Sequence, residues 1–315
     1  MDSLRIIFMG SAELACTSLE ALARQPDFDV LAVVTQPDRP RGRELKLQAS
    51  PVKQAAVRRG LPVLQPERAR DEGFIGELRG LRPDLIAVAA YGQILPKGIL
   101  ELPRHGCLNV HTSLLPKYRG AAPIQWAILN DEPETGVTIM KMDAGLDTGD
   151  ILAQAATPIC AEDDAQTLHD RLGQMGAELL VSTIRELVAG KLTPQPQPAE
   201  GASHARKITK EDGRLDWNQP ARALWNRVRA FTPWPGAFTQ LPGQEPAQML
   251  KVWRAEVVAG GGTPGEIMAA EKSGLVIACG VAALRIVELQ REGGRRMNAG
   301  DFLAGHPLKL GGKFG

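Results

Sequence analysis

Cysteine is scarce in this sequence, and its four copies, Cys16, Cys107, Cys160 and Cys279, show no C-x-x-C pairing. That spacing excludes a disulfide framework and a zinc knuckle, and predicts reduced, mostly buried thiols. His105, Cys107 and His111 are neighbours in sequence, but no helix or knuckle geometry gathers them, so no metal is expected. A long apolar run is also missing. No stretch reaches the length of a membrane span, and Met1-Asp2-Ser3-Leu4-Arg5 leads into a strand-like run without a signal-peptide layout. A soluble, cytoplasmic protein with no membrane partner is expected. The first strand-to-helix turn, Gly10-Ser11-Ala12-Glu13-Leu14-Ala15, carries one glycine and not the G-x-G-x-x-G of a dinucleotide site, so it reads as a tight turn. Internal repeats and low-complexity tracts are absent as well.

What is present begins with 315 residues, enough for a sizeable core and, as a prior, two domains. The net charge of +1 hides an asymmetry. Residues 1–200 carry 21 basic and 26 acidic side chains, a net of −5, whereas residues 201–315 carry 16 and 10, a net of +6. A basic C-terminal part is compatible with a polyanionic partner such as RNA, and also with an ordinary solvated domain.

Strand-like runs at 4–9, 30–35, 84–90, 107–112, 136–142 and 151–158 alternate with helical stretches after Gly10, at 51–59, at 71–79 and at 164–189. This alternation predicts an α/β, Rossmann-like domain over residues 1–190, with a largely parallel sheet and helices on both faces. Residues 191–206 include Gln195-Pro196-Gln197-Pro198-Ala199-Glu200-Gly201-Ala202-Ser203, which has a linker's composition. Beyond it, a helix at 220–230 and short strand-like runs between Gly-rich turns predict a small OB-like β-barrel over 207–315.

Chemistry concentrates in Asn109-Val110-His111-Thr112-Ser113-Leu114-Leu115-Pro116-Lys117-Tyr118-Arg119-Gly120. A period of two puts Asn109 and His111 on one face of a strand end, so an amide and an imidazole share a spot. Pro116 lacks an N–H and forces the chain into a loop. Downstream, two glycines bracket an acidic turn in Met142-Asp143-Ala144-Gly145-Leu146-Asp147-Thr148-Gly149-Asp150. Asp147 is the candidate partner for His111, with Asp143 and Asp150 better suited to turn and strand-end hydrogen bonds.

Taken together, NVHTSLLPKYRG and GLDTGD resemble the signature of the 10-formyltetrahydrofolate-dependent formyltransferases. The resemblance covers nearly the whole chain. It extends through Thr35-Gln36-Pro37-Asp38-Arg39-Pro40, Ala90-Tyr91-Gly92-Gln93-Ile94-Leu95-Pro96, Gly120-Ala121-Ala122-Pro123-Ile124-Gln125 and Arg229-Ala230-Phe231-Thr232-Pro233-Trp234-Pro235, which point to the branch acting on initiator methionyl-tRNA. It departs at the first turn, where Gly-Ser-Ala-Glu-Leu-Ala replaces the family's usual Gly-Thr-Pro-Glu/Asp-Phe-Ala. The resemblance implies a formyl transfer enzyme with Asn109, His111 and Asp147 as its catalytic set, 10-formyltetrahydrofolate as cosubstrate and no metal. Ser113, Leu114, Leu115 and Pro116 would line the folate side of the cleft, with Tyr91, Gly92, Gln93, Ile94 and Leu95 near the pterin.

The stretch from Gln36 to Lys53 holds five basic and two acidic residues among Pro and Gly, and reads either as a solvated loop or as a mobile arm that orders against phosphates. The resemblance implies contact with the tRNA acceptor arm from Arg43 and Lys46, beside Arg39 and Arg41, and RNA contact by Lys207 and Lys210. A monomer is expected. The catalytic trio alone also fits a formyltransferase acting on a nucleotide sugar or glycinamide ribonucleotide, and a reading from another class is an inactive RNA-binding module that keeps the fold.

Overall fold

The computed structural model describes residues 3–41, 46–242 and 248–315, with only the backbone described at Arg41 and Lys46. The chain divides into two compact units that interleave in sequence. The first comprises the chain up to Gly120, Thr135–Thr157 and His169–Ala205, and the second Ala121–Glu134, Pro158–Leu168 and Arg206–Gly315.

The first unit opens with β1 (Leu4–Gly10), α1 (Leu14–Ala23) and β2 (Phe28–Val34), then a two-stranded ribbon of β3 (Arg39–Arg41) and β4 (Lys46–Gln48), followed by α2 (Pro51–Arg58) and β5 (Val63–Leu64). After α3 (Glu72–Leu81) come β6 (Leu85–Ala89), the single-turn α4 (Lys97–Leu100), β7 (Cys107–His111) and β8 (Arg119–Gly120). The helix α5 (Pro123–Leu129) lies in the second unit. The chain returns through β9 (Glu134–Lys141), β10 (Ile151–Pro158), the long α6 (Ala165–Val188) and β11 (His204–Ala205). Seven strands form one sheet in the order β10-β9-β7-β6-β1-β2-β5. β1, β2, β5, β6 and β7 run parallel, and β9 is antiparallel to β7.

The alternation seen in the sequence works because β1 and β6 are apolar on both faces: Ile6, Ile7, Phe8 and Met9 are fully buried, as are Leu85, Ile86 and Ala87. Helix α2 starts where Ser50 Oγ accepts a hydrogen bond from the Lys53 N–H (3.0 Å), with Pro51 at its first position, and is followed by Gly60 at φ +67°. Helix α6 presses on the strand that ends in His111. A methyl group at Gly176 would sit 2.7 Å from a Val110 side-chain carbon, so only glycine permits this approach. The topology reverses direction between β1 and β6, where the parallel strands' carboxyl ends make a crevice of the kind that holds ligands in open α/β sheets.

In the second unit α7 (Ala221–Ala230) packs on an antiparallel sheet of β12 (Ala237–Gln240), β13 (Met249–Val258), β16 (Ala283–Arg291), β15 (Gly274–Ala278) and β14 (Ile267–Glu271), in that order. The strand β17 (Arg296–Asn298) pairs with β16 and leads into α8 (Ala299–Gly305). The last residues bridge the two edge strands: Lys313 pairs with Glu266 beside β14, and Thr239 Oγ1 on β12 donates to the Gly315 carbonyl (3.2 Å). The sheet is thereby drawn toward the barrel the turn spacing predicts, with Leu250, Val252, Ile277, Leu284, Ile286 and Phe302 buried inside.

Sequence periodicity did not indicate α5. Its seven residues, Pro123-Ile124-Gln125-Trp126-Ala127-Ile128-Leu129, are apolar almost throughout and show no polar face to set a helical period. The excursion to residues 158–168 is tied to α7 by Arg229, whose guanidinium donates to the Cys160 (2.9 Å) and Asp163 (3.1 Å) carbonyls and to Asn226 Oδ1 (2.8 Å) while its centre lies 3.7 Å from the Trp225 ring centroid. Burial, helped by the Arg222 charge, lowers its pKa from the ordinary arginine value. Arg229→Leu is expected to cost about 2–3 kcal/mol by removing those donors from buried acceptors, measured as a lower urea midpoint by tryptophan fluorescence; an unchanged midpoint would show that Arg229 does not hold this excursion in place.

Candidate active site

Strand β7 is buried except at Asn109, whose side chain is half-buried and makes no hydrogen bond to another described residue. His111, two positions on, shares its face and is buried. The turn that follows is closed by its own serine and by polar side chains of β9 and β10. Ser113 Oγ donates to the Lys117 carbonyl (2.6 Å), and Thr138 Oγ1 donates to the Ser113 carbonyl (2.7 Å) and accepts from the Leu115 N–H (3.1 Å). Gln154 Nε2 caps the Leu115 carbonyl at 3.0 Å, and the Leu115–Pro116 peptide is cis. Leu115 is buried, whereas Leu114 and Pro116 are partly exposed.

The imidazole is oriented from one side by backbone. His111 Nε2 lies 2.9 Å from the Tyr118 carbonyl oxygen, and since a carbonyl only accepts, Nε2 carries the hydrogen. Nδ1 therefore faces Asp147, whose Oδ2 is 3.7 Å away. The same Oδ2 accepts the Gly120 N–H at 2.8 Å. Asp147 and Tyr118 both sit in the left-handed region, at φ +52° and +63°, a strained arrangement for non-glycine residues that needs support from their surroundings.

That support is in two layers. Within the acidic loop, the Asp143 carboxylate accepts from Thr148 Oγ1 (2.8 Å) and from the Gly145 N–H (3.0 Å), so Asp143 serves the turn. A methyl at Gly149 would lie 1.8 Å from the Lys141 carbonyl oxygen, which requires glycine there. Outside the loop, residues 195–205 run alongside it. Gln195 and Ile151 exchange N–H···O bonds of 2.8 and 2.9 Å, Ser203 Oγ accepts from the Tyr118 N–H (2.9 Å), and His204 and Ala205 pair with Arg119 and Gly120. Nothing in the sequence signalled these contacts except two glutamines set between prolines.

A second cleft of about 230 Å³ opens at the reversal between β1 and β6, lined by Ser11, Ala12, Gln36, Pro37, Arg39, Gln48, Ser50, Ala90, Tyr91 and Gly92. Its floor is a hydroxyl cluster: Thr35 Oγ1 bonds both Ser11 Oγ (3.2 Å) and Ser50 Oγ (2.7 Å), and Gln36 Nε2 reaches the Tyr91 carbonyl (2.9 Å). The Ser11 and Ala12 N–H groups both turn to the Ala90 carbonyl, so neither is free for a phosphate. In the sequence Ser11, Thr35-Gln36 and Ser50 stand only as parts of a tight turn, a family-like stretch and a helix start, because polar residues scattered over forty positions carry no spacing signal that would gather them.

Of the five residues expected near a pterin, Tyr91 and Leu95 are core side chains, with burial pushing the Tyr91 phenol up to about 12. Gln93 Oε1 is spent on the Ala69 N–H (2.8 Å), while Gly92 borders the cleft and Ile94 is 84% exposed. In the basic stretch, Arg39–Arg41 and Lys46–Gln48 pair as an antiparallel ribbon with Arg39 exposed, and the Lys53–Asp38 ion pair (2.7 Å) braces its base. Arg43 lies outside the described residues, as do the Arg41 and Lys46 side chains. Lys207 and Lys210 are exposed in the second unit. Among the described residues no group of His, Cys, Asp or Glu is gathered to hold a metal, and no helix is long and apolar enough to cross a membrane.

A half-buried amide that can donate a hydrogen bond, on the same strand face as a histidine turned to a loop carboxylate, offers a chemistry suited to acyl-type transfer. The chain belongs to the formyl transferase family: residues 4–184 match the model described as formyl transferase, and residues 207–307 that of the formyl transferase C-terminal domain. It is 51% identical over 315 residues to the methionyl-tRNA formyltransferase of Citrifermentans bemidjiense, covering 100% of this chain and 98% of that one. Its identity to the methionyl-tRNA formyltransferase of Geobacter metallireducens is 50%, over the whole of both chains. Among solved structures it shares the fold of WlaRD, a sugar 3N-formyl transferase crystallised in the presence of dTDP and 5-N-formyl-THF, with a TM-score of 0.66 and 19% identity over 94% of this chain and 100% of that one.

The tight packing at Gly149 offers a test of the loop. Gly149→Ala should lower turnover at least tenfold, a loss typical of misplaced reacting groups, with the circular dichroism of the parent retained. Parent-like turnover would mean that the loop's position is immaterial.

Proposed function

We propose that the chain transfers the formyl group of 10-formyltetrahydrofolate to the α-amine of methionine esterified to initiator tRNA, the step that prepares the initiator for translation. The observation that carries the reading is the unpartnered Asn109 amide on the same strand face as the His111–Asp147 pair, in a chain half identical end to end to methionyl-tRNA formyltransferases.

The amine nitrogen attacks the formyl carbon, the carbonyl electrons move onto oxygen, and the intermediate collapses as the bond from carbon to folate N10 breaks. Asn109 Nδ2–H donates to the oxyanion, a role worth roughly 10²- to 10³-fold in turnover when one donor is removed. The amine must lose a proton and N10 must gain one. His111 is held with Nδ1 turned to Asp147, so the two share that proton traffic, directly or through water. No covalent enzyme intermediate is needed. The folate-side wall is the Ser113–Pro116 turn, acting through apolar and backbone contacts because its hydroxyl is already bonded, with Gly92 and Ile94 as further neighbours.

For tRNA, the β3–β4 ribbon with Arg39, Arg41, Arg43 and Lys46 approaches the acceptor arm, and residues 207–315, with Lys207 and Lys210 at their start, form the RNA-binding part of a cytoplasmic monomer. The net charge of +6 beyond residue 200 supports this assignment.

The decisive assay is formyl transfer to charged initiator tRNA beside elongator methionyl-tRNA and an amino-sugar nucleotide; preference for the sugar would refute the reading. Asn109→Ala should reduce turnover roughly 10²- to 10³-fold with folate affinity nearly unchanged, and a folded variant within a few-fold of the parent would remove the oxyanion role. Lys207→Glu with Lys210→Glu should weaken tRNA binding, spare folate binding and flatten the salt dependence by roughly 0.7–0.9 in log–log slope for each phosphate no longer neutralised. An unchanged slope would take both lysines out of the RNA footprint.

A further inference from the structure

The Gln197 side chain spends its whole hydrogen-bonding capacity on the two segments that carry the histidine–carboxylate pair. Its Nε2 donates to the Asp147 carbonyl at 2.9 Å and to the Gly149 carbonyl at 2.7 Å. Its Oε1 accepts from Arg119 Nε at 3.0 Å and Nη2 at 2.7 Å. A primary amide has two donor hydrogens and two acceptor lone pairs, and all four are used here. Arg119 lies between the Tyr118 carbonyl that holds His111 Nε2 and the Gly120 N–H that holds Asp147 Oδ2. One amide thus ties the acidic loop to the side chain of the residue that stands between those two backbone groups.

We propose that Gln197 is a positioning residue for the transfer reaction: its amide N–H groups hold Asp147 in its left-handed conformation, with its carboxylate turned to His111 Nδ1 across 3.7 Å, a gap that one intervening group can bridge. The proposal rests on the reading of His111 and Asp147 as the catalytic pair. Asp147 at φ +52° has no glycine's freedom, so the loop needs an external hold, and the two loop carbonyls are where Gln197 supplies it. Its reach from outside the catalytic motifs comes from the Ile151–Gln195 bridge two residues earlier, which fixes the backbone of this stretch.

The test is a double-mutant cycle in the full-length chain with initiator methionyl-tRNA and 10-formyltetrahydrofolate. Gln197→Glu keeps the size and the Arg119 contact but replaces both donors with acceptors facing carbonyls; Gln197→Leu removes every bond. Each should lower kcat by roughly 10- to 100-fold, a loss of the order expected for a sub-ångström to one-ångström misplacement, with KM for both substrates within about threefold. In an Asp147→Asn background neither should cost more than about twofold further, since groups acting through one another do not add. A parent-like kcat for Gln197→Glu, or a full multiplicative loss on top of Asp147→Asn, overturns the proposal. So does a change in thermal midpoint with kcat intact, which would make the residue structural only. Should Gln197→Leu fail to fold, Gln197→Glu decides. Asp147→Asn assayed alone separates the two levels: full activity there refutes the catalytic pair itself, while a slow Asp147→Asn with a fast Gln197→Glu refutes only the positioning role.

Discussion

Three consecutive residues, Tyr118, Arg119 and Gly120, set the geometry on which the candidate site depends. The carbonyl of the first orients His111, the N–H of the third orients Asp147, and the side chain of the second runs to Gln197. Neither ring nor carboxylate is therefore positioned by its partner; both answer to a shared stretch of backbone. The separation of 3.7 Å between Nδ1 and Oδ2 is long for a direct hydrogen bond, so the pair is not closed on itself.

Behind that stretch the scaffold is stiff. Gly176 brings α6 against Val110 so that the strand bearing Asn109 and His111 cannot recede, and the hydroxyl of Thr138 from the neighbouring β9 closes the turn after it. On the other side of the sheet's reversal the chain is built of serine, threonine and glutamine side chains bonded to one another. The two regions lie at the carboxyl ends of neighbouring parallel strands because β6 stands between β1 and β7.

How much of this the sequence carried follows from the range of the interactions. The sheet was legible because buried parallel strands are continuous apolar runs between turn residues, and Asn109 with His111 was legible because a period of two is local. The Asp147 loop was legible by its glycines, which mark positions where a side chain would strike a neighbour, the Lys141 backbone at Gly149 and the Thr148 side chain at Gly145. Helix α5, with no polar face, had no period to read. The β3–β4 ribbon, Arg39-Pro40-Arg41 against Lys46-Leu47-Gln48, has only three residues a side and leaves Leu47 exposed, too short a pattern to mark strands. Gln197 and Ser203 act across separations of tens of residues, and between prolines their composition signals only the absence of helix. Long-range polar contacts of this kind are invisible until the backbone path is known.

The interleaving of the two units bears on how such a protein can be inherited. The barrel-like unit includes α5 and the excursion around Cys160, which lie before the last part of the other unit in the chain, and Arg229 is satisfied by carbonyls from that excursion. A recombination joint placed between residues 205 and 206 would carry away the antiparallel strands and leave their borrowed helix behind. Transplanted alone, the segment would need a surrogate surface for α7 and new acceptors for a buried guanidinium. Exchange of the C-terminal half between relatives keeps this arrangement only when residues 121–134 and 158–168 travel with it or already match.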